Sequence, residues 1–128
     1  MLISKEGVRR FILKEAKARR KGWRCRRVAG DVYDTVEYKA GRVIFDFVEH
    51  LPRDTMVAAD IRASAKQEKL LVRAAVKKKM VTDLRVKYPM LIITGVSEAA
   101  VDIIEAYLAA WLVDNILSHP TRGQTFTI

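Results

Sequence analysis

The sequence predicts an all-α chain made of two linked copies of one small helical module. Three observations carry that expectation: an internal repeat, charge that alternates in phase with it, and apolar stripes at helical spacing. The stretch Val28–Ile61 returns, blurred, as Val96–Ile128. Without a gap, Val28 falls on Val96, Asp34 on Asp102, Glu37 on Glu105, Ile44 on Leu112, Asp46 on Asp114 and Pro52 on Pro120. A unit of this size occurring twice reads as two copies of one supersecondary module. The copies are taken as residues 1–68 and 69–128.

Residues 1–27 hold eleven Lys/Arg against two acids, and residues 61–88 hold nine against two. Residues 28–60 hold three against seven, and residues 89–128 one against four. Solvated helix faces explain any single block of this kind. Alternation in step with the repeat instead gives each module a basic front and an acidic back. The net charge of +9 and a pI near 9.9 point to an acidic partner, nucleic acid before any other. Half the residues are hydrophobic, enough for a core. One cysteine, Cys25, excludes an internal disulfide and suits a reducing compartment. The start, MLISKEGVRRF, is too quickly charged for a signal peptide. No run of about 18 apolar residues predicts a membrane span.

Ser4 is placed to cap a helix reaching about Arg20, with Val8, Phe11, Ile12 and Ala16 as its apolar stripe. Lys5, Arg9, Lys17 and Lys21 lie off that stripe, and Gly22 is the expected stop. Trp23 reads as a packing anchor ahead of a base-stacking residue. Cys25 has arginine neighbours that would lower a thiol pKa, with no general base nearby.

The next segment fits either a β-hairpin around Ala40-Gly41 or a long helix. In the helix Val32, Val36, Ala40, Val43, Ile44, Phe47, Val48 and Leu51 share one stripe. Gly41 costs that helix roughly 1 kcal/mol relative to alanine. The second copy, SEAAVDIIEAYLAAWLVDNIL, decides for helix: it is rich in Ala and Leu, and Ser97 is a natural N-cap. Pro52 and Pro120 should end the two long helices. From Ala58 to Tyr88 there is neither Gly nor Pro, which allows one helix or two with a break near Lys66–Glu68. There Leu71, Ala75, Val76, Met80 and Leu84 continue an apolar stripe, and Lys77, Lys78 and Lys79 are expected in solvent. Lys87-Tyr88-Pro89 closes that segment, MLIITG is an extended piece, and Thr121–Ile128 repeats the post-proline loop.

Local words then resemble a known family. Arg27-Val28-Ala29-Gly30-Asp31-Val32-Tyr33-Asp34 resembles the start of the central helix of core histone four. Arg53-x-Thr55-x-x-Ala58-x-Asp60-Ile61 resembles the second loop and third-helix start of a histone. Thr82-Asp83-Leu84-Arg85 resembles the first-loop tetrapeptide of core histone three, and Glu105-Ala106-Tyr107-Leu108 is a weaker echo of its central helix. In this order, the words resemble a fused histone doublet of the kind found in Marseillevirus-type giant viruses; archaeal doublets are the other source. The resemblance implies tandem histone folds closed into an intramolecular pseudo-dimer.

It also implies sequence-independent binding and compaction of double-stranded DNA in a nucleosome-like particle, through phosphates and arginines set into the minor groove. Arg27 and Arg85 match the family's loop arginines. Arg24, Arg26 and Lys87 would neutralise neighbouring phosphates, with Arg9, Arg10, Arg53, Lys78 and Arg122 completing the basic surface. Thr55 matches the loop threonine near DNA, and Arg53 with Asp60 the family's buried clamp. Helix N-termini near Ala29 and Ser97 would aim N–H groups at phosphate. The implied partners are a doublet of the core-histone-two type and a second copy of this chain, in a viral particle or on chromatin. The departures are shorter central helices, the extra stretch Val86–Gly95, no third helix in the second copy, and no lysine-rich tails.

Two other readings stay open. Asp31 or Asp34 with Glu37-Tyr38-Lys39 imitates the D…E-x-K pattern of Mg²⁺-dependent nucleases, which needs adjoining strands. A histone-fold scaffold of a transcription or chromatin complex is the other. His50 and His119 are expected to be solvated or to cap helix ends. No metal, cofactor or catalytic constellation is expected, and no enzyme activity.

Overall fold

The computed structural model describes residues 1–50, 69–120 and 123–128. Helix α1 spans Lys5–Arg19, and Ser4 caps it by accepting the Gly7 N–H at 3.1 Å. Its stripe of Val8, Phe11, Ile12 and Ala16 is buried, as the spacing requires. Gly22 is not the stop: Arg20 is the C-cap, donating its N–H to the Ala16 carbonyl. A short connector leads to the two-residue strand β1, Arg27–Val28, and then to helix α2, Gly30–Glu49. Helix α2 runs through Gly41 unbroken and buries Val32, Val36, Ala40, Val43, Ile44, Phe47 and Val48. The hairpin alternative is therefore not formed.

Lys69 to Val72 are not helical, with Lys69 at φ +53°, so the Ala58–Tyr88 segment is not one continuous helix. Helix α3, Arg73–Lys87, buries Val76, Met80 and Leu84. Of the three consecutive lysines only Lys78 is exposed; Lys77 pairs with Glu98 and Lys79 with Asp83 at 3.4 Å. Residues 89–97 form no regular element. Helix α4, Glu98–Ser118, starts on Ser97, whose hydroxyl accepts the Ala100 N–H at 3.2 Å. It ends two residues before Pro120, with His119 as its C-cap, and strand β2, Thr125–Phe126, follows. Pro52 and the expected third helix of the first copy lie outside the described residues.

The described chain is thus mostly helical, and the elements recur at the repeat offset. Lys5–Arg19 maps on Arg73–Lys87, and Gly30–Glu49 on the first twenty residues of Glu98–Ser118. Packing crosses between the copies: α1 lies mainly on α4, α3 mainly on α2, and α2 on α4. One continuous core results, with Val8, Ile12, Ile44, Met80, Ile104, Leu108, Leu112 and Ile116 fully buried. Each such side chain contributes roughly 1.5–3 kcal/mol of transfer free energy. A copy alone would leave its short helix without the long helix it mainly lies on.

Four sets of hydrogen bonds tie the copies together. The segments before α1 and α3 form an antiparallel bridge at Ile3 and Leu71, with Ser4 N–H donating to Leu70 and Val72 N–H to Leu2, both at 2.8 Å. Strand β1 pairs in parallel with β2, Arg27 opposite Thr125 and Val28 opposite Phe126. Arg20 reaches across to the end of α4, donating to the carbonyls of Ile116, Leu117 and His119 within 2.9 Å. Lys87 does the same for α2, donating to Val48 at 3.0 Å and Glu49 at 2.7 Å. A cation on the terminal carbonyls of a helix satisfies orphan acceptors and complements the helix dipole.

Candidate nucleic-acid interface

Phosphate binding needs cations that stay in water, donors held in place, and little negative charge between them. The connector between α1 and α2 supplies the cations. Arg24, Arg26 and Arg27 are all exposed, while the backbone beneath them is fixed. The Arg26 and Arg27 N–H groups donate to the Gln124 carbonyl at 2.8 and 3.0 Å, and Ala29 N–H to Phe126 at 3.0 Å. Below lies an aromatic stack. Trp23 is buried, with its ring 4.5 Å from His119 and 6.5 Å from Phe126, and its indole N–H donates to Gly123 at 3.1 Å. Trp23 is a packing anchor, as its sequence context suggests.

His119 corrects the expectation of a solvated or capping residue. It is buried, and its Nε2 accepts the Thr127 N–H at 3.1 Å. Its Nδ1 lies 2.6 Å from the Pro120 carbonyl, so the neutral ring with hydrogen on Nδ1 fits both contacts. His50 is exposed, with Nδ1 2.9 Å from the Asp46 carbonyl. Cys25 is a second correction: burial raises its thiol pKa, outweighing contacts with the backbone of Arg27 and Phe126 that lower it. Desolvation at a half-buried site disfavours the charged thiolate.

Helix α2 begins beside this connector at Ala29, which makes no side-chain cap hydrogen bond, and Asp31 stands in its first turn. At the equivalent place in the second copy, Lys78, Thr82, Arg85 and Thr94 line a shallow pocket of about 390 Å³ at the entrance to α4. Arg85 is exposed and donates to the Ile93 carbonyl at 2.9 Å, which holds its guanidinium beside Thr94. Lys77 lines the same pocket but is tied to Glu98 in the first turn of α4. The second entrance therefore carries fewer free cations than the first.

The remaining candidates divide. Arg9 and Arg10 are exposed on α1, Arg10 in an i,i+4 pair with Glu6 at 2.9 Å. An exposed pair of this kind is worth under about 1 kcal/mol and leaves the arginine available. Lys87 is not a free phosphate ligand: its ammonium is spent on the carbonyls that end α2. Arg53, Thr55, Asp60 and Arg122 lie outside the described residues, so the clamp and the loop threonine do too. The D…E-x-K residues all sit on α2, not on adjoining strands, and Glu37 accepts the N–H groups of Leu2 and Ile3. Among the described residues no cluster of three or more His, Cys, Asp or Glu is placed to hold a metal ion. No described helix is long and apolar enough to cross a membrane.

Sequence reasoning passed over Arg20, whose reach across to α4 depends on which copy it packs against. It pairs Glu37 with Glu105 as repeat mates, and places Glu37 in the D…E-x-K pattern, without reaching their hold on the segments before the short helices. That recurrence was the signal of their shared role. No family model matches the chain, and no curated protein or solved structure does either.

Proposed function

We propose that the chain is a histone-type doublet whose two copies close into one pseudo-dimer that binds double-stranded DNA without sequence preference and compacts it. The observation that carries this reading is the interlock. Each short helix lies on the other copy's long helix, and β1 of the first copy pairs with β2 of the second. That pairing holds Arg27 on β1, with Arg24 and Arg26 in the connector just before it, at the entrance to α2, where phosphates could be met by several cations. A second copy of the chain and a doublet of the core-histone-two type are the assembly partners, in a viral particle or on chromatin.

Nuclease protection on long DNA tests it. The chain alone, and with a candidate partner doublet, should leave a protected fragment of discrete length. A smear from both mixtures would refute wrapping. A scaffold role in a transcription or chromatin complex is the second reading, favoured by Met90 and Ile92, which are 93% and 94% exposed in the loop before α4. That reading expects weak DNA binding and stable complexes with other proteins.

A further inference from the structure

We infer that the groove between α2 and α4 is a docking site for an arginine- or lysine-rich peptide segment of a protein partner. The groove, about 470 Å³, is lined by aromatic rings and two carboxylates, together with Lys39 and His50. Phe47, Tyr107 and Trp111 supply the rings, and Asp46 and Asp114 the acids. The two aspartates are repeat mates, so each copy places one carboxylate in the same groove.

Both carboxylates have capacity left. Asp114 is exposed and has no ion pair among the described residues. Asp46 meets Arg42 at 3.5 Å, but both side chains are about half exposed, so the pair holds the carboxylate loosely. The aromatic surface already accepts a cation: the Lys39 ammonium stands 5.6 Å from the centre of the Trp111 ring. A ring face next to a carboxylate suits a guanidinium, which stacks on one and forks onto the other.

Charge complementarity selects this occupant. The two helices forming the groove belong to the acidic blocks, residues 28–60 and 89–128, of a chain whose total charge is +9. A cationic peptide is repelled by the molecule as a whole, so binding must arise from a local patch of opposite sign. The inference does not rest on DNA binding, because none of the groove residues belongs to the basic surface described above.

The test is fluorescence anisotropy of a labelled alternating Arg-Gly peptide titrated with the full chain, with an alternating Glu-Gly peptide as the control of opposite charge. Saturable binding of the first peptide and none of the second is expected. Asp114→Asn should weaken binding about tenfold, the loss of one charge-assisted contact. Asp46→Asn should do likewise, while Glu6→Gln, an equal charge change on α1, should leave affinity within about twofold. Both aspartates are on the surface, and circular dichroism would verify that the variants fold. Absence of saturable binding would overturn the inference. So would unchanged affinity in both aspartate variants, or an equal loss in Glu6→Gln, which would mark general charge attraction.

Discussion

Glu37 and Glu105 perform one task in opposite copies of the repeat. Glu37 accepts the Leu2 N–H at 2.7 Å and the Ile3 N–H at 3.1 Å, and Glu105 accepts the Leu70 N–H at 3.2 Å. Each carboxylate thereby holds the extended segment that bridges to the other copy. Glu105 is 4% exposed, so its removal would strand a buried donor. Glu105→Ala should lower unfolding free energy by about 2–3 kcal/mol, and Glu37→Ala by a similar or smaller amount. Urea denaturation followed by circular dichroism would measure both, and a loss well below 1 kcal/mol in each would mean the bridge stands without them.

Gly7 packs against the backbone of the other copy. A Cβ there would lie 2.1 Å from the Lys69 carbonyl oxygen, a backbone atom at a residue with φ of +53°. Alanine favours helices by nearly 1 kcal/mol over glycine, yet Gly7→Ala should destabilise by about 1–3 kcal/mol because the bridge must shift. Its repeat mate is already alanine, Ala75. A rise in thermal midpoint for Gly7→Ala would show that the approach relaxes at little cost.

On the proposed DNA-binding function, Lys87 and Arg27 should separate stability from DNA affinity. Lys87→Ala strips a cation from the end of α2 and should cost about 1–2 kcal/mol of stability, with the salt dependence of DNA binding unchanged. Arg27→Ala should leave the thermal midpoint within about a degree, since its guanidinium is exposed. It should reduce the slope of log affinity against log salt by about one. The opposite pattern would exchange the two roles.

Burial raises the pKa of the Cys25 thiol, and burial is also the leading cause of the raised Tyr33 phenol pKa, with Arg9 opposing and Glu6 reinforcing. Both groups lose a proton on ionising, so the unfolded chain ionises first as pH rises. The folded state then holds more protons, and stability falls with increasing pH above the ordinary thiol value of about 8.5. Cys25→Ser with Tyr33→Phe should flatten that alkaline decline in the thermal midpoint. An unchanged decline would assign it to other groups.

Much of the fold is legible in the sequence because the repeat is regular. The offset that pairs Asp34 with Asp102 also pairs the helices and the bridge residues Ile3 and Leu71. Apolar spacing placed the buried stripes of α1 and α2, and Ser4 and Ser97 marked the starts of two helices. Periodicity could not say which copy a short helix packs on, because a stripe is the same whichever partner covers it. For that reason Arg20 was passed over and Lys87 was assigned to phosphate. His119 reads as solvated in sequence because its partners, Trp23 and Thr127, come from a connector and a tail that pattern alone does not bring together.

The interlock has a consequence for assembly in dilute solution. Were the copies separate chains, each folded pair would form by a second-order step and come apart on dilution. Joined in one chain, the partner is always present at a high effective concentration. Formation of this pair should then be independent of protein concentration. A single translation product fixes both the pairing and its one-to-one ratio.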